Sequence, residues 1–321
     1  MLPLQPAIRP LPGRVRMGYF LYSLLLSMRF LRYVLPAALA GVLLLLGANE
    51  YAVARPSRRI RDVAYVPPAD SAYLAGRQVL DVYTPRRRGP QPLPVVIFIH
   101  GGSWNSGSKN LYSFIGRRLA KQGVVAVIIS YRLAPQVRVP QMADDCARAV
   151  VWTTQHVAEY GGDPQRLFVM GHSAGGGLAA LLATKDELFT RWGLARNPVR
   201  GAILDDPAGL DMLDYLQKMQ YPGDDQYLVP FAKDPAVWRA TSAMYFVSAS
   251  SPPFLLFVGG NTYPSIQSSS ARFRERLQAL GQQPGCTMLP GKKHIPMVLQ
   301  LFWQHNIIYQ QLLKMVGAKV G

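Results

Sequence analysis

Along the chain, short unbroken apolar runs alternate with stretches in which apolar positions recur every three or four residues. Val95 to Ile99, Val124 to Ser130, Leu167 to Met170, Gly201 to Asp205, Phe254 to Val258 and Cys286 to Leu289 are runs of the first kind. Apolar and β-branched on both alternate sets of positions, they predict strands covered on both faces. Ser113 to Gln122 and Gln141 to Tyr160 have helical spacing, the second closed by Gly161-Gly162 and the turn pair Asp163-Pro164. Gln78 to Tyr83 reads as an edge strand. A final helix is expected from Met297 to Val316, packing a stripe of Val298, Leu301, Phe302, Ile308, Leu312 and Met315 inward. Strands alternating with helices predict an α/β fold with a mostly parallel central sheet and helices on both faces, with reactive groups gathered beyond the carboxyl ends of the strands.

Two regions break the alternation. Residues 211–240 carry Met212, Leu216, Met219 and Tyr221 and are expected to form a small lid. At the other end, residues 33–49 form an uncharged apolar run between Arg32 and Glu50. At about 1.5 Å per residue its helix would be marginal for a hydrocarbon layer of roughly 30 Å. A signal peptide fits the same residues, with Met28, Arg29 and Arg32 as a basic start and Ala52-Val53-Ala54 as a small-residue cleavage site. The further apolar stretch Tyr19 to Leu26 favours an uncleaved anchor or even a pair of spans. Residues 1–62 are therefore expected to be an anchor or signal segment with a linker, and 63–321 the globular domain. That domain is expected to be membrane-anchored or exported, on the extracytoplasmic side.

Composition narrows the function classes. The 321 residues, 49% of them hydrophobic, suffice for one large domain. The net charge of +17 invites nucleic acid as a partner, but the basic residues form no aromatic-interleaved patch and no zinc or helix-turn-helix spacing occurs, so that partner is not expected. The excess is scattered, with a large part in Arg9, Arg14, Arg16, Arg29, Arg32, Arg55, Arg58, Arg59 and Arg61, which points to a membrane through the N-terminal segment. Cys146 and Cys286 lack metal-site spacing; Cys146 shares a helical stripe with Val150 and Val157 and reads as a buried thiol, with a single bridge to Cys286 left open for an exported domain.

The chemistry concentrates in LFVMGHSAGGGL, Leu167 to Leu178. Gly171 and Gly175 bracket Ser173 at the spacing of a sharp strand-to-helix turn that exposes one hydroxyl, with the Ala174 N–H beside it at the positive end of a helix. HGGSW, His100 to Trp104, follows an early strand. Its Gly101 and Gly102 free the backbone to turn, so the N–H groups of Gly102 and Ser103 are expected to join Ala174 around an oxyanion, with His100 bracing the loop. His294, in PGKKHIPM after the last strand, is the candidate general base. His172 is expected to point away from Ser173 by strand alternation, His156 to lie beside Trp152, and His305 to sit on the buried stripe of the last helix. Trp104 and the lid residues are expected to form an apolar pocket for a small or aromatic group.

Residues from about 75 to 315 resemble the α/β-hydrolase fold. HGGSW with YGGDPQRLFVMGHSAGG is similar to the esterase and lipase branch with an HGG-type oxyanion loop, including feruloyl-esterase-like and kynurenine-formamidase-like enzymes. The resemblance implies acyl transfer through a serine ester intermediate and does not identify the substrate; a small-molecule ester is expected, with no metal or organic cofactor required. It also implies a triad acid on the loop after the penultimate strand. Here that loop is VGGNTYP, with Asn261 and Thr262 where a carboxylate belongs. The acid is instead expected one strand earlier, in AILDDPAGLD: Asp206, with Asp211 next and Asp205 as the remaining choice. The expected activity is that of a carboxylesterase. An amidase or formamidase variant, and a non-catalytic membrane-tethered binding module, are the alternatives.

Overall fold

A computed structural model describes residues 34–48, 57–87 and 89–318. The chain divides into two units, Met1–Ala52 and Val53–Gly321. In the first, residues 34–48 form a helix, α1, with Leu35, Leu39, Leu44 and Leu45 exposed. Among the described residues no helix is long and apolar enough to cross a membrane. The stretch Tyr19 to Leu26, the basic start Met28 to Arg32 and the site at Ala52 to Ala54 lie outside the described residues.

The second unit is built on eight strands: β1 (Ser57–Ala64), β2 (Val79–Pro85), β3 (Leu93–Ile99), β4 (Val125–Ile129), β5 (Gly162–His172), β6 (Val199–Asp205), β7 (Phe254–Gly259) and β8 (Gly285–Leu289), in the order β1-β2-β4-β3-β5-β6-β7-β8. β1 and β2 run antiparallel and β4 through β8 run parallel. Strand alternation divides the core in two. Val95, Ile97 and Ile99 enter one layer with α3 (Val139–His156), α4 (Ala174–Thr184) and α9 (Pro264–Ala279). Val96 and Phe98 enter the other, with α2 (Ser113–Lys121), α10 (His294–Leu299) and α11 (Ile307–Val316). A fully buried Phe98 or Ile97 is worth about 1.5–3 kcal/mol relative to exposure, which is why both faces of these strands had to be apolar.

After the short α5 (Glu187–Thr190), the segment between β6 and β7 holds α6 (Met212–Lys218), α7 (Leu228–Phe231) and α8 (Pro235–Ala240), with a 3-10 turn at Asp224–Tyr227. It forms a cap over the carboxyl ends of the strands, in the region expected as a lid.

Five expectations are corrected. The strand expected at the edge from Gln78 to Tyr83 is β2, buried and paired on both sides by β1 and β4. β1 extends the sheet ahead of residue 63 although SRRIRDVA has no strand-like apolar pattern; its Arg59 and Asp62 are instead tied into a cluster with buried Asp81 and Lys109. The final helix is two: Trp303 takes an extended conformation after the 3-10 turn Gln300–Phe302, and the Asn306 side chain accepts from the Tyr309 N–H at 3.0 Å, restarting the helix as α11. His305 therefore lies exposed in the break and not on a buried stripe. Cys146 is buried in α3 while Cys286 is exposed on β8, and both are free thiols, which leaves no bridge.

Candidate active site

β5 delivers Ser173 at its carboxyl end and α4 starts at the next residue. Ser173 has φ 55° and ψ −125°, a conformation that costs a non-glycine residue about 1–3 kcal/mol and persists only when its surroundings enforce it. They do: its N–H donates to the Asp205 carbonyl at 3.1 Å, and its carbonyl accepts from Gly176 and Ala208 at 2.8 and 2.9 Å. The flanking glycines are dictated by contact. A methyl on Gly171 would fall 2.1 Å from the Gly175 carbonyl oxygen, and one on Gly175 would fall 2.1 Å from that of Ile99. Ala174 opens α4, so its amide lies at the positive end of the helix beside the hydroxyl.

The hydroxyl of Ser173 lies 2.8 Å from Nε2 of His294, and Nδ1 of His294 lies 2.6 Å from Oδ2 of Asp206. Because a carboxylate only accepts, Nδ1 carries the proton and Nε2 presents its lone pair to the serine. Asp206 is itself fully buried and held: Oδ1 accepts from the Gly259 N–H at 2.8 Å, and Oδ2 accepts from the Thr262 hydroxyl. Thr262 thus occupies the place where the resemblance implied an acid and serves as a donor to the acid that comes from the neighbouring strand. The loop carrying it is tied to the His294 loop by Gly260 N–H to Leu289 O (2.8 Å) and Asn261 N–H to Lys292 O (2.9 Å).

The other two aspartates are elsewhere. Asp211 caps α6, accepting from the Asp214 N–H at 3.2 Å, and also meets Tyr245 and Arg272. Asp205 is fully buried with neither carboxyl oxygen hydrogen-bonded, and burial together with the Asp206 charge pushes its pKa well above the usual range. Its backbone is the part that holds Ser173.

HGGSW forms a tight loop. Gly102, Ser103 and Trp104 all have positive φ (122°, 50° and 59°), a run that turns successive amides to one side. Gly101 passes so close to the elbow that a methyl there would sit 2.8 Å from the His172 carbonyl oxygen and 3.0 Å from the Ser173 Cβ. His100 donates from Nδ1 to the Gly101 carbonyl at 2.7 Å and stacks on Tyr131 at 4.4 Å. Burial lowers its pKa to about 4, so it stays neutral and cannot add charge to the loop.

His172 departs from expectation. Strand alternation predicts a side chain turned away, but the φ reversal at Ser173 ends the strand there, and His172 lines the cavity. Its ring lies 4.7 Å from that of His294, and its Nε2 donates to the His294 carbonyl at 3.1 Å. Burial and the neighbouring His294 lower its pKa to about 3, which keeps a second positive charge away from the site. Nothing in the local sequence pattern signals this contact across 122 residues.

A cavity of about 540 Å³ opens above Ser173. Trp104, almost fully buried, forms one wall and meets Phe231 and Tyr227 edge-on at 4.8 and 5.9 Å. Tyr215 and Tyr221 come from the cap, Tyr263 from the start of α9. Ser103 of the loop and Tyr227 of the cap both line the cavity. No group of His, Cys, Asp and Glu suited to a metal occurs among the described residues. His156 stacks on Trp152 at 4.8 Å, away from the site, as expected.

The sheet order, the strained serine turn and the helix layers define an α/β hydrolase. The family model described as BD-FAE matches residues 80–277, and the chain belongs to that family. The isoprenylcysteine alpha-carbonyl methylesterase ICME of Arabidopsis thaliana is 29% identical over 243 residues, 70% of this chain and 55% of that protein. Esterase LipC of Mycobacterium tuberculosis (strain ATCC 25618 / H37Rv) is 31% identical over 233 residues, 68% of this chain and 56% of that protein. The chain spans about half the length of the curated relatives it matches. Among solved structures, esterase B from Lactobacillus rhamnosis superposes with a TM-score of 0.69 at 24% identity, covering 88% of this chain and 94% of that one.

Proposed function

We propose that this protein is a serine hydrolase that cleaves carboxylic esters of small or aromatic substrates. The carrying observation is the continuous chain Ser173 Oγ, His294 Nε2, His294 Nδ1, Asp206 Oδ2, with separations of 2.8 and 2.6 Å. In this reading Ser173 Oγ attacks the ester carbonyl as its proton passes to Nε2. The tetrahedral oxyanion is met by the amides of Gly102, Ser103 and Ala174, and Asp206 supports the imidazolium. Collapse breaks the bond to the alkoxy oxygen, which leaves with the proton from Nε2. A water then repeats the sequence on the acyl-serine, returning acid and free enzyme. The esterase names of the relatives support the same reaction class. The aromatic walls and the cavity volume support an acyl or alcohol group of drug-fragment size or larger.

Burst kinetics with nitrophenyl esters provide the test. A rapid release of about one nitrophenol per chain followed by slower turnover, both absent in Ser173→Ala, is the expected result. A folded protein that binds such esters in the cavity without releasing nitrophenol would show a binding module.

A further inference from the structure

The positive excess that looks scattered along the sequence is sorted by the fold. α2, α10, α11 and the 3-10 turn Gln300–Phe302, which cover one face of the sheet, carry no Asp or Glu. Lys121, Lys293 and Lys314 are exposed there. No ion pair among the described residues involves these three or Lys292. Asp144 and Asp145 lie on α3, on the other face of the sheet, Asp211, Asp214 and Asp224 of the cap line the cavity, and Asp62 pairs with Lys109 just ahead of α2.

Large apolar side chains stand on the same basic face. Ile295 and Leu299, one helical turn apart on α10, are 57% and 56% exposed, and Trp303, 54% exposed, follows beyond the 3-10 turn that closes the segment His294 opens. Phe302 seats this segment against α2, its ring 6.1 Å from that of Phe114 and 4.4 Å from the Arg118 guanidinium. The 3-10 turn before α2 adds Leu111, 65% exposed. At the other end of the set, Ile295 and the exposed Tyr263 line the cavity, and the Tyr263 ring meets His294 edge-on at 5.2 Å. Isolated exposed apolar residues need no explanation, but a set that runs from the mouth of a reactive cavity, begins beside Lys292 and Lys293 and stands on helices without a carboxylate does.

We propose that this face docks on an anionic phospholipid surface. Ile295, Leu299 and Trp303 enter the boundary between headgroups and acyl chains, the lysines meet the anionic headgroups, and the cavity mouth is presented to esters carried in the lipid. A second copy of the chain would set one basic face against another. A nucleic acid would engage the lysines and leave the apolar set without a partner. The delivery of an ester from the lipid rests on the hydrolase reading; the docking does not.

The test uses the full chain with vesicles of phosphatidylcholine alone or mixed with phosphatidylserine, their acyl chains brominated to quench tryptophan on contact. Because the N-terminal segment could hold the protein near a bilayer by itself, the readout is the Trp303 signal, taken as the difference between the native chain and Trp303→Phe. The expected result is quenching of Trp303 on mixed vesicles and not on neutral ones, reversed by high salt. Lys121→Gln and Lys293→Gln should each weaken it about fivefold in vesicle concentration. Leu299→Ser should leave turnover of a soluble nitrophenyl ester unchanged and slow hydrolysis of a long-chain ester dissolved in mixed vesicles. Three results would overturn the docking: no Trp303 quenching, equal quenching on neutral vesicles, or a concentration-dependent dimer that shields Trp303 from an aqueous quencher without lipid. Absence of soluble-ester turnover in the native chain would instead sink the hydrolase reading and leave the quenching measurement to judge the docking alone.

Discussion

Replacing Asp206 by Asn should disable the site through a single proton. Oδ1 of Asp206 accepts from the Gly259 N–H at 2.8 Å, so in the variant that position must remain the amide oxygen. The amide nitrogen then takes the place of Oδ2 and directs its hydrogens at the Thr262 hydroxyl, which can accept, and at Nδ1 of His294, 2.6 Å away in the native protein. Nδ1 can accept only if it gives up its hydrogen, which moves the proton to Nε2. Nε2 then faces Ser173 as a donor and has no lone pair to take the serine proton. The same inversion in serine hydrolases of another fold costs about 10⁴ in kcat, about 5 kcal/mol of barrier. Shape and packing are kept, so the expected result is a kcat loss of that order with KM and thermal midpoint close to native, measured with a short nitrophenyl ester. Asp211→Asn is the control: an asparagine oxygen still caps α6 and only the ion pair with the partly exposed Arg272 is lost, so stability should change by less than about 1 kcal/mol with kcat largely intact. An Asp206→Asn enzyme retaining more than about a tenth of native kcat, or an Asp211→Asn enzyme equally inactive, would refute the tautomer argument.

Gly101→Ala should lower kcat about 100-fold, because the added methyl, 2.8 Å from the His172 carbonyl, must push the oxyanion loop or the elbow out of place; an unchanged kcat would show that the loop amides are not used. Thr262→Val removes one donor from Asp206 and should cost about 1–2 kcal/mol of activation energy with the acid still in place, read as a tenfold drop in kcat/KM, whereas no change would mean the hydroxyl is idle. Acid should destabilise the fold through its buried histidines. His100 and His172 are held neutral at about 4 and about 3, below the unfolded value near 6.5. The unfolded chain therefore binds their protons first: their contribution is intact above pH 6.5 and is lost as pH falls toward 4 and 3, by about 1.4 kcal/mol per pH unit for each histidine. Asp205, raised by burial, opposes this over the carboxylate range, since the native state keeps its proton where the unfolded chain has released it. Urea midpoints at pH 7 and pH 5 should differ less in His172→Gln than in the native chain; equal slopes would contradict the assignment of His172 as a neutral buried ring.

The sequence discloses what local pattern controls. β3 to β7 are apolar because both faces are covered, whereas β8, expected to be covered likewise, is an edge strand that exposes Cys286 and Met288; the turn at Ser173 is visible in glycines whose absent side chains let Gly171, Gly175 and Ile99 touch. That Thr262 cannot carry charge points to Asp205, Asp206 and Asp211 without deciding among them; that Asp206 meets His294 and accepts from Thr262 depends on loops meeting and has no local signature. β1 is hidden because its residues are chosen for ion pairs with Asp81 and Lys109 and not for burial. His172 is misread because alternation holds only while the chain remains a strand, and the backbone turns at the next residue. The break at Trp303 is equally hidden, since the apolar spacing of Leu301, Ile308 and Leu312 runs across it. Charge shows the same limit: a composition that looks evenly basic separates into a basic face and an acidic cap only once helices are assigned to sides of the sheet.

The relay through Ser173 is tested most directly by covalent trapping. The native chain is treated with an alkyl fluorophosphonate and its digest is weighed, alongside His294→Ala and Asp206→Asn. The account predicts one adduct per chain, confined to the peptide holding Ser173, with labelling slowed by orders of magnitude in both variants because the hydroxyl is no longer activated. An unlabelled native chain, an adduct on another residue, or labelling of His294→Ala at the native rate would contradict it.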